Sequence, residues 1–162
     1  ARTGPLRGPL AVGQVVVAAP PGIAGAWVKR IVAVGGQTVA LRDGVLLVDG
    51  TALPAEPADA VTMAAFGERC APHTRDVVAE QHGRRTALVH RSDIAPARHA
   101  DAVTVPEGHV IMKGDHRSRS LDSRKVGPVP AAAITGSVIG VTSLFAFAPC
   151  PRWTVDRLGA SP

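Results

Sequence analysis

Three polar side chains in the stretch GDHRSRSLDSR, residues 114–124, stand at alternating positions: the Ser120 hydroxyl, the Asp122 carboxylate and the Arg124 guanidinium. On an extended chain all three point to one face, where they form a hydrogen-bonding ladder able to hold a neighbouring charged group. Gly114 and Asp115 suit a tight turn, because Gly tolerates positive φ and Asp can bond its own backbone. From spacing alone this is a hairpin turn with a surface Asp–Arg pair. A second candidate for chemistry is Lys29, in WVKRIVAVGG at residues 27–36. A lysine works as a general base only when neutral near pH 7, which requires burial in an apolar pocket. On a strand Trp27, Ile31 and Ala33 share the Lys29 face, while Val28, Val32 and Val34 line the other. The other two lysines, Lys113 and Lys125, lie outside such a run. A lysine whose stem packs on a sheet while its ammonium reaches water is the other reading of that spacing.

The elements that must position these groups are short strands. The chain of 162 residues can build one core of ordinary size, with room for a small subdomain. It is 46% hydrophobic but only 3% aromatic, with no Tyr, so the core rests on Val, Ile, Leu and Ala. Abundant Val and Thr with 17 Gly and 14 Pro favour strands and turns over long helices. AVGQVVVAAP and residues 27–34 read as strands, and QTVALRDGVLLVDG as a hairpin around Asp43-Gly44, with a further turn at Asp49-Gly50. Residues 1–10 read as a lead-in. Residues 103–113 return to a β pattern, and VGPVP turns a corner. Val126 to Pro151 carries no charge and is long enough to span a bilayer. Its Thr, Ser and Gly interruptions and β-branched residues read instead as one or two buried strands.

Between the two β regions, residues 51–102 are broken by Pro54, Pro57, Pro72 and Pro96, with TALVH the one clear strand. This stretch reads as an inserted β-rich cap, with residues 1–50 and 103–162 as the core. His73, His82, His90 and His99 fall in it without ligand-like spacing and read as surface residues, so no metal is expected. Cys70 and Cys150 allow a disulfide without announcing one. The net charge of +5 comes from scattered Arg without interleaved aromatics. That pattern argues against nucleic acid and leaves a solvated basic surface or attraction to an anionic membrane. The chain opens on Ala1 and has no Lys-flanked apolar start, which reads as a piece of a longer protein.

Taken together, WVKRIVAVGG and GDHRSRSLDSR resemble type I signal peptidases, the serine–lysine proteases that remove signal peptides. Lys29-Arg30 matches the family's Lys-Arg strand, and Gly114, Asp115, Arg117, Ser120, Asp122, Ser123 and Arg124 match its Gly-Asp-Asn-Arg-x-x-Ser-x-Asp-Ser-Arg run. RDGVLLVDG resembles its Asp-Gly…Asn-Gly strand pair. The resemblance implies a mainly β fold of coiled antiparallel sheets with a small inserted subdomain. It implies Lys29 as general base, oriented by Ser120, with an Asp122–Arg124 ion pair in support and Gly114, Asp115 and Arg117 as scaffold. No cofactor is implied. The substrate class is an extended signal peptide with small residues near the cut, and the setting is the extracytoplasmic face of a bacterial cytoplasmic membrane. The stretch between the boxes is not catalytic in the family.

The family's nucleophilic serine stands in an upstream Ser-Met-x-Pro box, and no such sequence occurs in these residues. Ser92, Ser118, Ser123, Ser137, Ser143 and Ser161 lack that context, so the nucleophile is expected outside this chain and the fragment alone is expected to be inactive. His116 and Arg119 replace two Asn of the family run, Gln37 and Gln14 each replace an Asp, and Lys113 stands where an apolar residue is usual. Phe145, Phe147 and Trp153 are candidate membrane anchors, with core packing the alternative. Two rivals stay open: the related peptidase that matures conjugative pilins, and a non-catalytic β module that binds extended peptides.

Overall fold

A computed structural model describes residues 2–6, 8–57, 77–90, 100–117 and 119–140. Among the described residues thirteen strands form three antiparallel sheets, the longer ones built from apolar, β-branched runs. The first sheet contains β1 (Arg2–Gly4), β2 (Val15–Ala18), β3 (Trp27–Val34), β11 (His109–Lys113), β12 (Val129–Pro130) and β13 (Ile134–Gly140), in the order β1-β13-β2-β3-β11-β12. The expected lead-in thus supplies an edge strand. The second sheet has β4 (Thr38–Arg42), β5 (Val45–Val48), β6 (Thr51–Ala52) and β10 (Ala100–Thr104), in the order β10-β4-β5-β6. The third joins β7 (Ala55–Pro57), β8 (Val77–His82) and β9 (Arg85–His90). The fold is mainly β, as the sequence implied.

Both expected turns form. Asp43 and Asp49 take φ of 48° and 51°, each followed by a Gly of positive φ, the backbone that two-residue hairpins need. β9 coincides with the TALVH strand, but β8, reading VVAEQH, carries too weak an alternation to have been seen in the sequence.

One face of the first sheet buries Val16, Ala18, Trp27, Ile31, Val110, Met112, Val129 and Ile134. Each fully buried aliphatic side chain there contributes roughly 1.5–3 kcal/mol. Val32, Ala33 and Ile111 bury against Leu46 and Val105, which ties in the second sheet. Ala33 therefore leaves the face shared by Trp27 and Ile31. The reason is a bulge: Ile111 faces Ala33 while Met112 faces Ile31, so Val32 is an extra residue and the alternation slips by one.

Among the described residues no helix is long and apolar enough to cross a membrane. Of the charge-free run only the part through Gly140 is described: it contains β12, a 3-10 turn at Ala131–Ala133 and β13, and where buried strands were expected β13 is partly exposed, with Ile139 at 65%. Cys70, Cys150, His73, His99, Phe145, Phe147 and Trp153 lie outside the described residues.

Candidate active site

β3 carries Lys29 toward the loop that follows β11, and there the two sequence boxes meet. Lys29 Nζ lies 3.0 Å from Ser120 Oγ, across 91 residues of chain. It also sits 5.5 Å from the centre of the Trp27 ring. Burial is the largest influence on this amine and lowers its pKa from 10.5; Asp122 pulls it back upward and Arg124 pushes it down. A neutral amine at this position has a lone pair that can accept a hydrogen bond or a proton, which an ammonium lacks.

Ser120, Asp122 and Arg124 do not lie along an extended chain. Asp122 is the N-cap of a one-turn helix, α1 (Ser123–Val126), with φ −154° and ψ −167°, and accepts from the Arg124 backbone N–H. An Asp carboxylate satisfying an orphan N–H at a helix start competes well with extended structure. The cap brings Arg124 back onto Asp122 in two bonds of 2.8 Å, while the carboxylate also accepts from the Gly114 N–H at 3.0 Å. Burial alone would raise the Asp122 pKa, but the Arg124 bonds and charge together with those backbone N–H groups outweigh it and lower the pKa. Ser123, which the sequence left without a role, accepts from the Met112 N–H at 2.9 Å beside the bulge.

Gly114 is glycine for a reason other than turn geometry. Its φ is not among the positive ones. A Cβ there would lie 2.1 Å from Ser120 Oγ and 2.5 Å from Ser120 Cβ, so the missing side chain is what lets Ser120 stand beside Lys29. Asp115 and Arg117 reach beyond the turn. Asp115 receives Arg30 Nε and Nη2 at 2.9 and 2.7 Å, and Arg30 Nη1 bonds the Gly13 carbonyl at 2.8 Å. Arg117 forks onto Glu80 of β8, with Nη1 on Oε2 at 3.1 Å and Nη2 on Oε1. The Lys-Arg strand and the later run are thus joined at two points, one through each basic residue.

Several residues escaped the sequence reading. Glu80 and His82 are fully buried, so His82 is no surface histidine. Its Nε2 lies 2.9 Å from Glu80 Oε1 but off the direction of a hydrogen bond. His90 stacks on His116 with ring centres 4.5 Å apart, and burial followed by the His90 charge lowers the His116 pKa. No group of three or more His, Cys, Asp or Glu positioned for a metal occurs among the described residues.

Lys113 is the largest omission. It ends the apolar HVIM run of β11 and is 3% exposed, not outside such a run as expected from the sequence. Burial first, then the Arg117 and Arg124 charges, push its pKa to about 7. In the unfolded chain the amine returns to its ordinary value of 10.5, so between these values the unfolded state binds a proton that the folded state does not. Stability therefore rises with pH across that window, by on the order of a few kcal/mol in all. Lys113→Met should remove this rise and be the more stable variant near pH 6. Parallel melting curves of the two proteins from pH 6 to 10 with equal slopes would refute the assignment.

An antiparallel β scaffold holding a desolvated lysine within hydrogen-bond reach of a serine has the makings of a hydrolase site, where a base must stay neutral to accept a proton. The chain belongs to the signal peptidase family, peptidase S26, whose family model matches residues 3–142. It is 28% identical over 153 residues to the probable signal peptidase I-1 of Synechocystis sp., covering 90% of this chain and 58% of that protein. Against signal peptidase I of Mycobacterium tuberculosis it is 33% identical over 138 residues, covering 80% of this chain and 39% of the relative. The chain thus spans little more than half of the first relative and well under half of the second. A crystal structure of a signal peptidase I from Enterococcus faecalis superposes with a TM-score of 0.49 at 24% identity, over 82% of this chain and 98% of that one.

Proposed function

We propose that this chain is the lysine-bearing part of a signal peptidase that cuts extended signal peptides with a Ser–Lys dyad. The observation that carries the reading is the 3.0 Å approach of the partly buried Lys29 amine to Ser120 Oγ. In this mechanism Lys29 takes the proton of a serine hydroxyl as that oxygen attacks the scissile carbonyl. It then returns the proton to the leaving amine, and repeats the transfer with water to release the acyl group. Ser120 is too committed to this role to be the attacking residue: its hydroxyl orients the amine, and the reading assigns the nucleophile to a Ser-Met-x-Pro box, a sequence that does not occur in these 162 residues. Asp122 and Arg124 fix the helix start that carries Ser120. Substrate lies along an open strand edge, its backbone bonded as an added strand, with small side chains in shallow pockets. The setting is the extracytoplasmic face of a bacterial membrane, where a basic surface favours anionic lipid.

The coding sequence upstream tests this directly. It should encode an apolar span followed by Ser-Met-x-Pro, and changing that Ser to Ala in the full-length protein should reduce cleavage of an Ala-x-Ala precursor to background. A full-length protein with no such box would point instead to a module that binds extended peptides without cutting them. Nothing in the site favours pilin maturation over preprotein processing.

A further inference from the structure

Glu80 is a carboxylate on β8 with no exposed surface, a condition rare for Glu without a partner. Its partner is Arg117, itself 5% exposed, from the loop beside Ser120. We propose that Glu80 is a positioning residue of this active site, holding Ser120 against Lys29 by way of Arg117 and Gly114. The proposal rests on Lys29 being the base. It gives a role to a stretch the family resemblance treats as non-catalytic.

The geometry runs in one direct line. Glu80 takes both terminal nitrogens of Arg117, which leaves Nε aimed at the Gly114 carbonyl at 3.2 Å. The Gly114 N–H is held from the other side by Asp122 Oδ2 at 3.0 Å. Gly114 is therefore fixed through both its N–H and its carbonyl, and Ser120 rests directly on it, where even a methyl group would not fit. Releasing the carbonyl end frees the surface against which Ser120 is packed.

Stability alone does not account for a charged pair at this place. Burying both charges costs several kcal/mol per ion, and an apolar pair of similar volume is often as stable or more so. An apolar pair could not donate to the Gly114 carbonyl. The loop also has a tie to β9 that does not involve Glu80: His90 N–H donates to the Asp115 carbonyl at 2.9 Å, and Arg117 N–H to the His90 carbonyl at 3.0 Å. These backbone bonds hold the turn in place when the side-chain pair is changed, so the loss falls on fine placement.

The test uses the full-length protein with Glu80→Gln and with the double variant Glu80→Leu/Arg117→Met, which removes both charges at similar volume. Melting curves establish folding, and a signal-peptide substrate gives kcat and KM across pH. The double variant should fold, lose about 10- to 100-fold in kcat and keep KM within about twofold. Its acid limb of kcat/KM should move to higher pH, because a Lys29 amine readmitted to water regains a higher pKa. Glu80→Gln, if folded, should show the same limb shift with a smaller loss. A folded double variant with wild-type kcat and an unmoved limb would overturn the proposal. Lys29→Ala, assayed alongside, separates the two claims: if it stays active, the base assignment falls and the proposal with it. If it is inactive while the double variant is normal, only the proposal falls.

Discussion

Lys29→Ala, made in the full-length protein, should lower peptide cleavage by about 10²- to 10⁴-fold if the proposed dyad operates, the range a positioned general base supplies. The amine is desolvated on β3 and meets Ser120, so its removal deletes the proposed proton acceptor while sparing the core packing of Trp27 and Ile31. The melting temperature should stay close to that of the parent, since an amine whose burial already opposes its charge contributes little to folding. Lys29→Arg should be as inactive as the alanine variant, because a guanidinium keeps its proton at any workable pH. In the parent, kcat/KM should rise with pH through an ionisation below the ordinary lysine value of 10.5, since only the deprotonated amine accepts a proton. Steady-state kinetics on the three proteins decide the matter. Full activity in either variant ends the dyad.

Gly114→Ala should cost about 100-fold in kcat, from adding one methyl group. That carbon would stand 2.1 Å from Ser120 Oγ, far inside contact distance, and 3.6 Å from Lys29 Nζ. The clash falls on Ser120, whose displacement by an ångström or more breaks its bond to Lys29. Overpacking of this kind also destabilises by about 1–3 kcal/mol. Kinetics below the lowered melting temperature separate the two effects. Wild-type kcat in a folded Gly114→Ala protein would show that Ser120 need not sit where it does.

Some of this architecture was legible beforehand because it is local. Asp43-Gly44 and Asp49-Gly50 form turns from their own φ preferences, whatever surrounds them. The runs at Trp27–Val34 and His109–Lys113 carry enough β-branched and apolar side chains to be strands in most settings. The helix start at Asp122 is local too, yet its residues also fit an extended chain, because alternation and capping use the same residues and only the cap satisfies the Arg124 N–H. β8 was missed for a different reason. Its two buried charged or polar residues, Glu80 and His82, break the hydrophobic pattern that marks a strand.

The sequence by itself determined a β-rich chain, its hairpin turns, and two short runs whose residue types suit base chemistry and its support. Only the tertiary structure decided that Lys29 meets Ser120, that Arg30 pairs with Asp115 and Arg117 with Glu80, and that Lys113 is buried. Turn and strand preferences act between neighbours, whereas these contacts join residues from 37 to 91 positions apart. At such separations the partner of a charge is set by which strands lie side by side and where a bulge slips their register. No spacing along one chain encodes that.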